Sequence, residues 1–376
     1  AYALTQEAIQ AGCGDPIVLY ADARLYDIVV RKDYIEAFRI HLHAANRMRD
    51  IGGAYHPLRQ ALAFGRAAEF HARYRIQLTE EDKKASQVWL DLGLKRYEEA
   101  LKDPEIPEFP ILDCSNVLIT AATILTHDRR IGFERVFDVL SKARPESLLP
   151  LLLKGEFYTS FAWDARGWGP ANGVKPEGAA AVRERLALAE TALAEAWTKK
   201  PDHPKAATLM LSVELGQGKG REVMETWFKR ALEADPNNLE ACQKKMFYLE
   251  PKWYGNRDAM LDFGRELLRG GNFDARLPFL LVEAHHTLAN YEKYKSDYYK
   301  KEDVWKDVRD VYSGYLEDFP DAAFERTQFA KLAGQCGKYG DADRQFEILG
   351  DKADPSVFGG IDSLNRRKAE AASKGR

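Results

Sequence analysis

The sequence predicts an all-α protein, folded as a right-handed superhelical solenoid of antiparallel helix pairs. Two equivalent corners, Pro201–Ala206 and Pro236–Ala241, lie 35 residues apart, and each separates two helical runs. Pro320 and Pro355 repeat the same spacing near the C terminus. Periods of about 20 to 50 residues with two helices per period are typical of solenoids, in which each unit buries its apolar face only against its neighbours.

Helical signals begin close to the N terminus. Asp15 is placed to cap a helix that starts at Pro16, because a proline at the first helical position loses no hydrogen bond. A second helix is predicted over Tyr34–Met48, where apolar residues recur at steps of three and four, and Gly52-Gly53 ends it.

Two further helices complete the first hundred residues. His56-Pro57 begins one of them. Thr79, followed by three acidic residues, predicts an N-cap with first-turn carboxylates that complement the helix dipole, and this helix ends near Leu101. Residues 1–103 are therefore interpreted as an N-terminal helical region.

Residues 104–147 are predicted to form an irregular helical connector. Prolines at positions 104, 107 and 110 favour an extended segment here, because proline is not tolerated inside a helix. Helical patterning then resumes. The β-branched run at 117–125 would also suit a strand, but no partner strand is recognisable, so a buried helix is the better interpretation.

Residues 148–361 are predicted to carry the helical repeats, with insertions at 164–178 and 291–303. The first insertion is rich in glycine and proline, and loops of this length are often functional. The second is charged and carries tyrosines at helical spacing, which predicts a long helix or a helical extension. The basic tail, residues 362–376, is expected to fray.

Small and aromatic residues in the repeat region follow a fixed spacing. Small residues let two antiparallel helices approach closely, and large ones fill the groove between units. The positions are Gly155, Tyr158, Ala189, Leu193, Ala196 and Pro201, then Leu211, Leu215, Phe228, Ala231 and Pro236, and finally Phe329, Ala330, Ala333, Gly337, Tyr339, Ala342, Phe346 and Pro355. This pattern resembles the tetratricopeptide repeat, with Met224 standing where that family prefers a small residue.

A narrower resemblance covers about residues 197–286. The segments W-F-K-R-A-L-E and Y-L-E-P-K-W-Y-G are similar to those of an uncharacterised bacterial repeat family, and G-C-G-D-P-I-V-L-Y resembles the N-terminal part of the same group. Because that family is one of unknown function, the resemblance implies a fold and no biochemical activity.

Charge and cysteine content disfavour several classes of function. The formal net charge of −3 provides no general field for nucleic acid, and no apolar run reaches the length of a membrane-spanning helix. The four cysteines are far apart and form no C-x-x-C pair, so no zinc site is predicted and burial as small hydrophobic side chains is favoured.

No catalytic, metal or cofactor site is predicted. The glycines of G-Q-G-K-G are interpreted as a turn, because a phosphate-binding loop would have Ser or Thr where Arg221 stands. Glu283 and His286 form a single E-x-x-H, whereas a di-iron bundle needs two such motifs on facing helices. Enzyme activity therefore has no positive signal, although it stays an open alternative.

The candidate binding residues are Trp168, Lys252, Trp253, Tyr254 and His286. Trp168 lies in the first insertion. The aromatic pair after Pro251 either fills the groove between repeats, which is the favoured interpretation, or faces a partner as a binding hot spot. Gly255 is expected to permit an unusual backbone angle there.

The preferred function is that of a protein–protein interaction scaffold, whose helical groove receives a peptide, another protein or a second copy of the chain. Two alternatives stay open. One is an enzyme or small-ligand protein with a pocket under the 164–178 loop, lined by Trp168, Trp253 and His286. The other is a structural subunit of an envelope or multi-protein assembly. The start at Ala1-Tyr2-Ala3 is compatible with a cytoplasmic protein and with an exported one after signal removal.

Overall fold

The computed structural model describes residues 2–29, 34–73, 79–167, 173 and 175–375, and these residues form an all-α protein without strands. The chain divides into two compact units, Ala1–Lys200 and Pro201–Arg376. The divisions predicted at residues 103, 147 and 361 do not coincide with this boundary, which falls at the first of the repeated corners.

The helices of the first unit are α1 (Tyr2–Gln10), α2 (Pro16–Val29), α3 (Tyr34–Ile51), α4 (Pro57–Arg73), α5 (Glu80–Ala100), α6 (Glu108–Thr126), α7 (Arg129–Ala143), α8 (Leu149–Arg166) and α9 (Pro176–Lys199). The helices of the second unit are α10 (Pro204–Gln217), α11 (Arg221–Ala234), α12 (Leu239–Tyr248), α13 (Arg257–Gly270), α14 (Phe279–Ala289), α15 (Lys295–Tyr299), α16 (Glu302–Asp318), α17 (Ala323–Gln335), α18 (Tyr339–Leu349) and α19 (Ile361–Lys374). Short 3₁₀ turns at Gly52–Ala54, Gly350–Lys352 and Pro355–Phe358 join some of them.

Local capping signals place the first helices where the sequence predicts them. Asp15 accepts the backbone N–H of Ile17 at 2.7 Å at the start of α2. Thr79 and Asp82 form a reciprocal capping box at the start of α5, with Thr79 Oγ1 accepting the N–H of Asp82 at 3.1 Å. Such caps satisfy backbone donors that have no partner inside the helix, so they fix the helix ends from local sequence alone.

The region predicted as an irregular connector is regular instead. Residues 108–126 and 129–143 form α6 and α7, and α6 packs against α4, α5, α7 and α8. Pro110 did not prevent α6 because it lies in the first turn, where the backbone N–H of a helix has no partner to lose. The helix begins within the proline-rich segment, and the connector is part of the core of the first unit.

Within the described residues α6 is also the one helix that is long and apolar enough to cross a membrane. About half of its apolar window is buried against other helices. A core helix of a folded domain has this composition, so α6 is weak evidence for a membrane span.

The second unit packs its helices mainly against their sequence neighbours. α10 contacts α11 and α12, α13 contacts α14, and α17 contacts α18. Contacts also join equivalent positions of successive corners: Lys205 Nζ lies 3.1 Å from a Glu240 carboxylate oxygen, and Asn272 donates to the side-chain carbonyl of Asn237. Both pairs are separated by 35 residues. These contacts are compatible with a helical repeat.

Two predictions for the second unit are wrong. The segment 291–303 is not one long helix: Tyr291 and Tyr294 are exposed in a turn, α15 is short, and α16 starts at Glu302. The basic tail is not frayed but forms α19, which buries Leu364 and Ala371 against its neighbours. Leu364 and Ala371 are seven residues apart and therefore lie on the same face of α19, a spacing that the charged composition of the tail made hard to recognise.

The first insertion is shorter than predicted. α8 continues to Arg166 and α9 begins at Pro176, so helical structure takes up part of the 164–178 segment. Trp168 lies outside the described residues.

Close contact between α6 and α7 depends on Gly132. A Cβ atom at this position would lie 2.5 Å from Thr123 Oγ1 and 2.7 Å from the Thr123 backbone nitrogen. We expect Gly132→Ala to lower the free energy of unfolding by about 1 to 3 kcal/mol, the usual cost of overpacking. Urea unfolding followed by circular dichroism measures this. Gly53→Ala is the control, since a Cβ there meets nothing within 4 Å. Equal stability of the two variants would contradict the packing argument.

Candidate functional site

A groove in the second unit has a volume of about 1210 Å³. Its walls come from α14 to α19 and from the 3₁₀ turn Pro355–Phe358. The side chains that line it include His286, Lys295, Tyr299, Tyr312, Phe324, Gln328, Lys331, Gln335, Phe346, Phe358, Arg366, Arg367 and Glu370. We call this feature the α17 groove, because α17 contributes more of its lining than any other helix.

One face of α17 forms the wall. Phe324, Gln328, Lys331 and Gln335 follow each other at steps of four, three and four, so they lie on the same side of the helix. Tyr312 OH lies 3.1 Å from Gln328 Oε1 and donates to it. Phe324 is 44% exposed, although removing a phenyl side chain from water is favourable in free energy. The face therefore offers both apolar and hydrogen-bonding contacts.

The lining of the α17 groove is basic. It contains Lys295, Lys331, Arg366 and Arg367 against a single carboxylate, Glu370. Glu370 is already engaged, at 2.7 Å, by Arg367 and by Lys374. Lys331 Nζ donates to the backbone carbonyl of Val357 at 2.7 Å. In the part of the chain that the structure describes, Lys295, Lys331 and Arg366 form no ion pair.

His286 and Tyr299 meet at one edge of the groove. The imidazole Nδ1 lies 2.6 Å from Tyr299 OH. Partial withdrawal from water, together with the nearby charges of His285 and Lys331, lowers the pKa of His286. Burial raises the pKa of Tyr299 to about 12. Both groups are thus neutral at pH 7, and one hydrogen bond joins them.

Behind this edge lies a buried network that the sequence did not reveal. His285 is fully buried, and its ring nitrogens lie 2.8 Å from Tyr298 OH and 3.1 Å from Asp307 Oδ2. Arg265 donates to the same carboxylate from Nε and from the terminal nitrogen, at 3.0 and 2.8 Å. The network joins α13, α14, α15 and α16. The only sequence signal was the pairing of two adjacent histidines with two adjacent tyrosines.

Opposing effects act on the Asp307 carboxyl. Burial by itself would raise its pKa, but hydrogen bonds from His285 and Arg265 and the guanidinium charge outweigh burial and lower it. Asp307 is therefore ionised at pH 7, so its carboxylate accepts the hydrogen bond from His285 Nε2.

The predicted corner residues form a separate cluster, the Trp253 corner, made of Phe247, Lys252, Trp253 and Tyr254 around the end of α12. The rings of Phe247 and Trp253 lie 5.7 Å apart, and Lys252 Nζ lies 4.6 Å from the Phe247 ring centroid. Tyr254 packs on Tyr248, and its hydroxyl occupies the space where a side chain at Gly218 would be. Tyr254 thereby connects the α12–α13 turn to the end of α10.

Gly255 is required at this corner for a reason other than the one predicted. Its backbone does not adopt a positive φ. A Cβ atom would instead lie 2.5 Å from the carbonyl carbon and Cα of Leu249. The chain folds back on the end of α12, and only glycine allows that approach.

The predicted binding residues do not converge on one site. His286 lines the α17 groove, whereas Lys252, Trp253 and Tyr254 do not. Glu283, the partner of His286 in the E-x-x-H pattern, is also outside the lining. Trp168, which was expected to line a pocket with Trp253 and His286 under the 164–178 loop, lies outside the described residues.

Candidate catalytic and metal chemistry gains no support elsewhere. Among the described residues no three His, Cys, Asp or Glu side chains meet as a metal site requires. Ser86 Oγ lies 2.5 Å from His71 Nδ1, with Asp82 nearby, but Ser86 is completely buried and cannot reach a substrate. Cys114, Cys242 and Cys336 are buried, and burial raises their thiol pKa values.

No protein-family model matches this chain, and no curated protein matches it. The resemblance to tetratricopeptide repeats and to the uncharacterised bacterial family therefore stays an expectation drawn from the residues quoted above.

Stability of the second unit should depend on Asp307 and on pH. Because the folded-state pKa of Asp307 is lowered, its contribution is present above the unfolded-state pKa near 3.8 and is lost as the pH falls through the folded-state value. We expect Asp307→Asn to cost about 2 kcal/mol at pH 7, where it leaves buried donors without their charged acceptor. The difference from wild type should shrink toward pH 3.

Urea unfolding at pH 7, 5 and 3 measures this dependence. Asp318→Asn is the control, because Asp318 is exposed on the same helix. A pH-independent difference between wild type and Asp307→Asn would contradict the ionised state assigned to the carboxyl.

Gly255→Ala should destabilise the Trp253 corner. A methyl group cannot fit against the Leu249 backbone, so we expect a loss of about 3 kcal/mol, at the upper end of overpacking costs. Gly270→Ala, at an exposed position where a Cβ meets nothing within 4 Å, should change stability by less than about 1 kcal/mol. Thermal unfolding of both variants tests this, and a fully stable Gly255→Ala protein would refute the close approach.

Proposed function

We propose that this protein is a protein–protein interaction scaffold, and that the α17 groove receives an extended segment of another protein. The right-handed solenoid of tetratricopeptide-like helix pairs is part of the proposal. The recurrence of contacts between positions 35 residues apart supports it for the second unit.

The single observation that carries the proposal is the groove itself. At about 1210 Å³ it is larger than the usual small-molecule pocket of about 300 to 1,000 Å³. It is open along a helix face, with the exposed ring of Phe324 beside the polar side chains of Gln328 and Gln335. An extended peptide presents the same mixture, because its side chains need apolar surface and its backbone needs hydrogen-bonding partners.

An enzymatic use of the groove has less support. His286 is the one histidine in the lining, and its Nδ1 is engaged by Tyr299. A nucleophile must be activated by a base or by a lowered pKa, yet the pKa of Tyr299 is raised to about 12. The hydrogen bond between His286 and Tyr299 is better suited to holding the groove wall in place than to acid–base catalysis.

The Trp253 corner has a structural role in this proposal. Its rings pack on their own turn and on the end of α10, as a lock between neighbouring helices would. Tyr254 is 46% exposed, so the corner keeps a surface that an experiment can compare with the groove.

Quantitative affinity capture with the full chain tests the proposal. We expect Phe324→Ala to reduce recovery of the specific partners at least about tenfold, as loss of a hot-spot aromatic contact does. Ile348→Ala should recover the wild-type set, because Ile348 is an exposed apolar residue on α18 outside the groove. Trp253→Ala should also recover the wild-type set.

Each outcome has a defined meaning when circular dichroism shows that the variants are folded. Partners lost only with Trp253→Ala would move the binding surface to the Trp253 corner and refute the groove. Partners unaffected by Phe324→Ala, or no reproducible partner at all, would count against the scaffold function.

A further inference from the structure

We infer that the segment received by the α17 groove is an acidic peptide, whose carboxylates meet Lys295, Lys331 and Arg366. The inference rests on the proposed function, since it names the chemistry of the partner for the same groove. Three observations carry it: the sign of the lining charge, the absence of ion pairs at Lys295, Lys331 and Arg366 within the described structure, and the burial of half of the aromatic rings in the lining.

The groove has the opposite sign to the chain as a whole. Its lining carries four cationic side chains and one carboxylate, a net charge of +3 with His286 neutral, whereas the whole chain has a formal net charge of −3. Positive charge is therefore concentrated in a concave place, where walls of low dielectric strengthen its field. Burial is the largest cause of the lowered pKa of His286, and the charge of Lys331 lowers it further.

The cations come from separate elements. Lys295 lies on α15, Lys331 on α17 and Arg366 on α19, so they belong to different walls of the groove. Glu370 forms its ion pairs with Arg367 and Lys374, so in the described structure it does not pair with Lys295, Lys331 or Arg366. A peptide segment with several carboxylates along its length would supply one carboxylate for the cation on each wall.

Nucleic acid fits the groove less well than a peptide. Binding of single strands relies on aromatic faces on which bases stack. Tyr299, Tyr312 and Phe346 are each less than 10% exposed, and their rings are held in helix packing. Phe324 offers an open ring, which suits an aromatic or aliphatic side chain of the peptide. The net negative charge of the chain also opposes a long phosphate backbone.

Selection of a random twelve-residue peptide library on the full-length chain tests the inference. We expect Asp and Glu to be enriched at least twofold over the starting library. One selected peptide is then synthesised with a fluorescent label, and its Kd is measured by anisotropy at low and high salt. Binding should weaken with salt, because the contacts are between charges.

Variants locate the contact. Arg366→Gln should raise the Kd of that peptide at least about tenfold, as loss of a hydrogen bond between charged groups does. Arg366 is exposed, and its side chain donates a hydrogen bond to Ser363 on its own helix, so the variant is expected to fold. Lys295→Gln is a second variant of this kind. It is preferred to a substitution of Lys331, because Lys331 donates a hydrogen bond to the backbone of Val357. Arg344→Gln on α18, outside the groove, should change the Kd less than twofold.

The inference is overturned if selected peptides are not enriched in acidic residues, if no peptide is selected, or if Arg366→Gln and Lys295→Gln bind as wild type does. It is also overturned if a single-stranded RNA oligonucleotide binds more tightly than the acidic peptide and with the same dependence on Arg366. Uncharged peptides that are selected and then lost with Phe324→Ala would refute the acidic partner while leaving the groove as a peptide site.

Discussion

The carboxylate of Asp307 is the point on which the α17 groove depends. It accepts hydrogen bonds from Arg265 on α13 and from His285 on α14, and His285 in turn binds Tyr298 on α15. A buried carboxylate is stable only when its charge is compensated in this way. The network therefore holds four helices in one arrangement.

That arrangement sets the edge of the groove. His286 and Tyr299 directly follow His285 and Tyr298 in the chain, and they form the same kind of imidazole–hydroxyl contact, at 2.6 Å. Successive residues on a helix point about 100° apart, so fixing one pair on the buried side directs the next pair toward the groove. Structural and exposed histidines are thus neighbours in sequence with different roles.

The charged side chains of the second unit also fall into two groups, those in surface ion pairs and those that line the groove. Most of its charged side chains are paired at the surface, where a single ion pair contributes little to stability. Lys295, Lys331 and Arg366 in the groove form no ion pair in the described structure, and the one carboxylate of the lining, Glu370, is shared by Arg367 and Lys374. A site that leaves charge uncompensated in the free protein gains specificity for a partner of the opposite sign.

Local sequence signals determined the all-α class and the starts of α2, α4 and α5, because caps, prolines and apolar spacing act within a few residues of one another. The same locality explains the errors. Pro110 and the polar composition of residues 362–376 were judged without the packing that makes α6 and α19 regular helices. Only the tertiary structure brought Arg265, His285, Tyr298 and Asp307 together and grouped Lys295, Lys331 and Arg366 around one groove. These residues are far apart in the chain, and their meeting depends on how whole helices pack, which no spacing in the sequence records.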